Sequence, residues 1–148
     1  MAEAIALGAS IIAVIQISDR IIGLTKQYIE TAKDAPRDLH TMRIETSTLK
    51  AIFESLKFLL DPENPPSDNL QSLDGQNGPV EGCRRSLSDL ERLLSPGIDT
   101  TIQGKRRKIQ ATLSGLAWPL KEGRARKLLD EVLQYKTTIS LALSSEST

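Results

Sequence analysis

The chain begins MAEAIALGASIIAVIQIS, residues 1–18, and this stretch decides its fold. No charged residue occurs between Ala4 and Ser18, and apolar side chains fall on every side of a helical wheel. A surface helix of a small protein is apolar along one stripe only. The pattern therefore predicts either the central helix of a bundle or a helix that contacts lipid. As a helix the segment spans roughly 22 Å, shorter than the ~30 Å hydrocarbon core of a bilayer. The sequence thus predicts a buried helix that can be released.

Helical periodicity continues along the rest of the chain. The first helix extends in amphipathic form to about residue 32, and Ala35-Pro36 ends it because the residue before proline avoids the helical region. The second helix, about 36–60, carries a heptad with apolar positions three and four residues apart. These positions are Leu39, Met42, Thr46, Leu49, Phe53, Leu56 and Leu60, with Ile52 and Leu59 widening the stripe. Similar periods predict helices at about 80–95, 101–117 and 121–144, with a break or sharp kink at Trp118-Pro119.

These segments predict an all-α fold, an antiparallel helical bundle of four to five helices. Residues 61–79, DPENPPSDNLQSLDGQNGP, are rich in turn-forming residues and predict a long loop. The 148 residues suit a single domain, residues 1–148, and the 3% content of aromatic residues requires an aliphatic core. Seven residues are expected to be nearly fully buried: Leu49, Phe53, Leu56, Leu87, Leu90, Leu128 and Val132.

The sequence lacks the residue patterns of catalysis. His40 is the only histidine and Cys83 the only cysteine, so a histidine–cysteine metal cluster cannot form, and no glycine-rich phosphate loop occurs. We expect His40 on the surface and Cys83 in the core. The sequence therefore predicts no catalytic residue, no metal site and no cofactor. A single cysteine fits a reducing compartment, and Glu3 stands where a signal peptide has basic residues, so we expect a cytoplasmic protein.

Charge is unevenly distributed along the chain. The formal net charge is zero, yet residues 101–127 hold eight Lys and Arg residues against one Glu. Such a run is usually a solvated face, but clustered cations also bind anionic lipid headgroups. The candidates for headgroup binding are Lys105, Arg106, Arg107, Lys108, Arg124 and Lys127. Nucleic-acid binding is not expected, because the tract lacks interleaved aromatic residues and the whole chain is neutral.

Two stretches carry a family resemblance. Residues 8–18 read GASIIAVIQIS, and residues 116–143 read LAWPLKEGRARKLLDEVLQYKTTISLAL, with Trp118-Pro119-Leu120-Lys121-Glu122 as the most specific run. Together with the leucines that follow Cys83, these stretches resemble fungal HeLo-like domains over nearly the whole chain. Such domains stand at the N-terminus of fungal NOD-like (STAND-type) receptors and of related cell-death effectors.

The resemblance implies a mechanism. In the family, oligomerisation is thought to expose the N-terminal helix, which then attacks the plasma membrane. Carried over to this chain, the membrane segment is Ala4 to Ile17. The membrane-inserting candidates are Ala4, Ile5, Leu7, Gly8, Ile11, Ile12, Val14, Ile15 and Ile17. The implied partners are other copies of the chain, anionic plasma-membrane lipid and a receptor or effector module. Since members often continue into further modules, we expect this chain to be a domain excised from a longer protein.

Two functions therefore follow from the sequence. The first is a non-enzymatic signalling or execution domain of a fungal immune-type cell-death pathway, which moves from the cytoplasm to the plasma membrane on activation. The alternative is a protein–protein interaction or oligomerisation module that stays closed and does not insert into a membrane. In that case the apolar first helix is only part of the core.

Overall fold

The computed structural model describes the backbone of residues 2–31, 36–60, 67–95, 104, 106–109 and 117–146, and these residues are helical apart from short connections. Side chains are described for the same residues except 2–5 and 117–120. The helices are α1 (Ala2–Thr31), α2 (Arg37–Leu59), α3 (Asp68–Gln71), α4 (Pro79–Leu94) and α5 (Ala117–Glu146), while residues 104 and 106–109 are also helical. Within these ranges there is no strand, which confirms the all-α prediction.

Most helix ends lie within a residue or two of the predicted ones, but the start of α5 does not. The helix was expected from residue 121 and begins at Ala117. Pro119 therefore lies in its first turn, where the missing N–H has no partner within the helix to lose. The Trp118-Pro119 pair thus belongs to the beginning of a helix and does not separate two of them. Most of the helix predicted at 101–117 lies outside the described residues.

The predicted loop at 61–79 contains an unexpected element. Residues 61–66 lie outside the described set, but α3 follows at once. Its N-cap is Ser67, whose Oγ accepts a hydrogen bond from the backbone N–H of Leu70 at 3.2 Å. Leu70 and Leu73 are buried, so this connection adds side chains to the core. Gly75 has a φ of +104°, a conformation that explains the glycine at this turn.

Consecutive long helices alternate in direction. α1 packs on α2, and α4 packs on α5, each pair running in opposite directions. The contacts that define these directions are Gly8 beside Leu60 and Asp19 with Lys50 at 2.6 Å for the first pair, and Gly82 beside Tyr135 and Ser86 with Glu131 at 3.0 Å for the second.

Two further pairs of neighbours run in the same direction. α1 also packs on α4, and α2 packs less extensively on α5. The contacts that define these directions are Arg20 with Glu91 and Tyr28 with Leu94 for the first pair, and Asp38 with Arg126 and Glu45 with Lys136 for the second. The spatial order is therefore α1, α2, α5, α4. The described part of the connection between α2 and α4, residues 67–78, packs on α5 through α3.

One core lies between the four long helices. All seven residues expected to be buried are at most 7% exposed, so that prediction is confirmed. The heptad of α2 is buried from Leu39 to Leu56, but Leu60 is only half-buried. Leu59, expected to widen the buried stripe, is 44% exposed, and this prediction is wrong. It lies on the side of α2 towards α5, where the two helices pack least closely.

Candidate functional site

The apolar first helix has two distinct faces. One face packs on α2 and α4 and is fully buried; its apolar members are Leu7, Ile11, Val14, Ile17, Ile21 and Tyr28. The other face is exposed and carries small or uncharged side chains; its members are Ala6, Ala9, Ile12 and Gln16. The sequence left two interpretations open, a central helix and a helix that contacts lipid. A central helix would be buried on all sides, whereas α1 packs on α2 and α4 and exposes its other face. Complete burial therefore does not explain why α1 carries no charged residue between Ala4 and Ser18.

The nine candidate membrane-inserting residues divide between these faces. Leu7, Ile11, Val14 and Ile17 are buried, and Gly8 and Ile15 are half-buried. Ile12 is 41% exposed and is the one large hydrophobic side chain that α1 exposes among its described residues. The side chains of Ala4 and Ile5 lie outside the described set. Thus four of the candidates are core residues in this state, and only Ile12 presents a bulky apolar group to solvent.

The described polar contacts between α1 and its neighbours all lie in the second half of the helix. Asp19 pairs with Lys50 at 2.6 Å, and Arg20 pairs with Glu91. Further along, the Tyr28 hydroxyl donates to the carbonyl oxygen of Leu94 at 2.8 Å within the core. Between residues 6 and 17, no described hydrogen bond or ion pair joins α1 to another helix. Among the described contacts, residues 6–17 are therefore attached by apolar packing alone, and polar attachment begins at Asp19.

Two buried hydroxyls near this boundary have no hydrogen-bond partner among the described residues. They are Ser18 Oγ on α1 and Thr46 Oγ1 on α2, both at most 1% exposed. An unsatisfied buried hydroxyl costs about 1–3 kcal/mol relative to a paired one. Thr25, by contrast, donates to the carbonyl oxygens of its own helix at 3.0 Å. The packing of α1 is therefore weakened at the point where its polar attachment begins.

Length and composition allow α1 to cross a bilayer. Residues 6–31 form one helical stretch long and apolar enough for this, although a core helix of a soluble protein can satisfy the same criterion. At 1.5 Å per residue, this stretch is about 39 Å long, against a hydrocarbon core of about 30 Å. The expectation that the uncharged segment is too short applied to residues 4–18 alone. The continuous helix is longer, but it includes four charged residues, Asp19, Arg20, Lys26 and Glu30.

The structure describes most of the cations of the basic tract. Arg106 and Arg107 are exposed, Lys108 is half-buried, and Lys105 lies outside the described residues. On α5, Arg124 and Lys127 are exposed. No described contact joins the first group to the second, so the expected single patch across Trp118-Pro119 remains a prediction.

One neighbouring cation, Arg92, was not identified from the sequence. Arg124 lines a shallow groove with Asp89, Arg92 and Leu93 of α4, so two guanidinium groups border one depression. Arg92 also pairs with Asp89 at 3.3 Å. Because Arg92 is 32 positions away in the chain, only the pairing of α4 with α5 brings it near Arg124.

Arg126 differs from the other cations of the tract. Its guanidinium contacts Asp38 at 3.0 Å and Glu122 at 2.8 Å. The hydrogen bond that Arg126 donates to the Asp38 carboxylate is the main reason why the pKa of Arg126 is raised above its ordinary value. Arg126 therefore joins the N-terminal end of α2 to α5, and its charge is already compensated within the fold.

The two residues with potential reactivity lie where the sequence predicts. Cys83 is buried, and desolvation raises the pKa of its thiol to about 12, so the thiolate is absent at neutral pH. His40 is exposed on α2. Among the described residues, no group of three histidine, cysteine or carboxylate side chains is arranged to hold a metal ion.

No family model, curated protein or solved structure matches this chain. The resemblance to HeLo-like domains therefore rests on the sequence motifs quoted above. The fold and the geometry of α1 stand independently of it.

Proposed function

We propose that this chain is a non-enzymatic HeLo-like domain, an antiparallel helical bundle of four to five helices that oligomerises and engages the plasma membrane through the N-terminal half of α1. In the resting state the domain is cytoplasmic and this half of the helix is packed on α2 and α4. On activation it leaves the bundle and its apolar side chains contact lipid. The pathway that such domains serve is fungal immune-type cell death, and the upstream partner is a receptor or effector module.

One observation carries the proposal. Residues 6–17 form a charge-free half-helix that no described polar contact joins to the rest of the domain, whereas the half beginning at Asp19 is bound by two ion pairs and a buried hydrogen bond. A segment of this kind can change partners without breaking directional bonds. Its departure is opposed only by the loss of apolar burial.

That loss decides what can replace the core. Burying one Leu, Ile or Val side chain contributes about 1.5–3 kcal/mol, and four such side chains of this segment are buried. Release into water would therefore cost roughly 6–12 kcal/mol, comparable to the whole stability of a small domain. Lipid restores an apolar environment and water does not. The segment is therefore expected to leave the bundle only when it meets a membrane or another apolar surface.

A reversible clamp tests this proposal. A Cβ atom at position 8 would lie 3.8 Å from Leu60 Cδ1, so positions 8 and 60 face each other. A disulfide between cysteines at these positions, verified by the loss of free thiol on oxidation, would join α1 to the end of α2. The variant Gly8→Cys/Leu60→Cys should bind anionic vesicles when reduced and lose this binding when oxidised. Native Cys83 is buried and should not interfere. Co-sedimentation with liposomes, with and without dithiothreitol, measures the effect.

The oxidised and reduced forms of the double variant control for each other, because they have the same sequence and differ only in the disulfide bond. The Leu60→Cys single variant, treated with the same oxidant, should bind as the untreated protein does. Vesicle binding that is equal for the oxidised and reduced double variant contradicts release of α1. The interaction module that stays closed would then be the better description.

The cations of residues 106–127 have a supporting role in this proposal. Arg106, Arg107, Arg124 and Lys127 are exposed and can approach anionic headgroups, each contributing about 1 kcal/mol near such a surface. Changing all four to Glu should weaken binding to anionic vesicles, and increasingly so at low salt, while the melting temperature changes little. Binding that responds neither to these substitutions nor to salt would assign them to a solvated face.

A further inference from the structure

The outer face of α2 carries a second heptad, distinct from the buried one. Its positions are spaced four and three residues apart, and all are exposed: Ile44, Thr48, Ala51, Ser55 and Phe58. We call these five residues the outer stripe. Ile44 is 64% exposed and Phe58 is 89% exposed. Of the five large hydrophobic side chains exposed in the described part of the chain, four lie on α2 and α5.

The polar atoms of the outer stripe are already satisfied. Thr48 Oγ1 donates to the carbonyl oxygen of Ile44 at 3.0 Å, and Ser55 Oγ donates to that of Ala51 at 3.2 Å. Beside them, Ser47 Oγ donates to the carbonyl oxygen of Arg43 at 2.7 Å. With these bonds made within the helix, the hydroxyl-bearing side chains can be desolvated at little cost. The centre of the stripe is also small enough to let a second helix approach closely.

We propose that α2 pairs through this stripe with α2 of a second copy of the chain, antiparallel and around a two-fold axis between Thr48 and Ala51. This axis places Thr48 opposite Ala51 of the copy and Ile44 opposite Ser55 of the copy. Large side chains of one helix then lie opposite small side chains of the other along the contact, as helix packing requires. The interface is isologous, so every contact occurs twice.

Pairing of opposite charges favours the antiparallel orientation. Arg43 and Glu54 each precede a residue of the outer stripe and lie on the same flank of it. In the antiparallel pair Glu54 lies opposite the position between Arg43 and Ser47 of the copy, about 3 Å along the axis from Arg43. Two Arg43–Glu54 pairs therefore form, one on each side of the axis. In a parallel pair, the flanks that carry Arg43 and Glu54 in the two copies would lie on opposite sides of the contact, so these pairs could not form. Lys50, the cation nearest the axis, is paired within its own chain with Asp19 at 2.6 Å and, at the longer distance of 3.6 Å, with Glu54.

The pair is expected to be weak. One helix face buries less than the standard interface of about 1,600 Å², which corresponds to a transient complex. A dissociation constant on the order of 10–100 µM is the expected range. This pairing is a property of the closed domain and does not depend on release of α1.

Sedimentation equilibrium from about 5 to 500 µM tests the inference at low salt. The unmodified domain should dimerise. Ala51→Arg, at the centre of the stripe, should be monomeric throughout, whereas Gln27→Arg, at an exposed position of α1, should dimerise normally. Circular dichroism verifies that each variant is folded.

A charge exchange makes the test specific. Arg43→Glu and Glu54→Arg should each be monomeric, because each places like charges together twice. Mixed in equal amounts, the two variants should form a heterodimer, since both of its flanks then pair opposite charges. The double variant Arg43→Glu/Glu54→Arg should also dimerise.

An unmodified domain that stays monomeric up to the highest concentration overturns the inference. So does dimerisation that Ala51→Arg leaves intact, or a mixture of the two charge variants that stays monomeric. If the unmodified domain is monomeric and Ala51→Arg reduces vesicle binding, the outer stripe contacts lipid and not a second copy. Ile12→Asp should leave dimerisation unchanged, which separates this interface from the proposed membrane function.

Discussion

Ile12→Asp separates the closed domain from the membrane-bound one. Ile11 and Ile12 are neighbours in an apolar helix, yet Ile11 is fully buried and Ile12 is 41% exposed. A charge at position 11 would damage both states, because that side chain is in the core now and in lipid after release. A charge at position 12 has room to reach solvent in the closed domain and has no such room within a bilayer.

The expected magnitude follows from these two environments. Transfer of Ile to the centre of a membrane helix is favourable by about 0.5 kcal/mol, and that of Asp is unfavourable by about 3 kcal/mol. The substitution therefore costs the inserted state about 3–4 kcal/mol. In the closed domain, where part of the Ile12 side chain is already hydrated, the cost is about 1 kcal/mol. The difference of about 2–3 kcal/mol corresponds to a roughly 30- to 150-fold loss of vesicle affinity.

Two assays check this result on the same protein. Urea denaturation should show a loss of about 1 kcal/mol in the free energy of unfolding, and liposome co-sedimentation should show the loss of affinity. Gln27→Asp, at an exposed position in the second half of α1, is the matched control and should have a small effect on both. A folded Ile12→Asp domain that binds vesicles as tightly as the unmodified one would refute the membrane role of α1.

Three further substitutions and one pH dependence, with its own control variant, probe stability. Ser18→Ala removes a buried hydroxyl without a partner and should raise the free energy of unfolding by about 1 kcal/mol; a lower melting temperature would reveal a hidden hydrogen bond. Gly82→Ala should destabilise by about 1–3 kcal/mol in urea titrations, because its Cβ would lie 2.4 Å from the Tyr135 ring. Gly123→Ala meets no atom within 4 Å and should instead stabilise by about 0.5–1 kcal/mol; equal effects would contradict this packing. Since burial raises the pKa of Cys83 from 9.0 to about 12, the unfolded chain loses its thiol proton first. Stability should therefore fall between these pH values, and a Cys83→Ala variant should lack that component.

The sequence alone predicted the four long helices that the structure describes and most of their core. Heptads in α2 and α4 identify buried positions because a stripe at helical spacing has one direction in which to be buried. Where the apolar periodicity was ambiguous, the predictions drawn from it were wrong or incomplete. Leu59 fits the edge of a stripe as well as the core, and α3 is too short to have a period of its own.

Periodicity also could not resolve α1. When every position is apolar, no stripe indicates which side meets the core, so Ile11 and Ile12 are equivalent in the sequence. Tertiary packing distinguishes them, because α2 and α4 cover one side of α1 and leave the other open. The same packing decides where polar attachment begins, since Lys50 and Glu91 come from different helices.

The sequence by itself determined that the chain is helical, that its core is aliphatic and that its first helix is charge-free between Ala4 and Ser18. These properties are local, and each follows from residue type and spacing. Only the tertiary structure decided the order of helices around the core, the exposure of Ile12 and the outer stripe, and the approach of Arg92 to Arg124. Each of these depends on which helices become neighbours, and that choice is made by the summed packing of all four long helices rather than by any one segment.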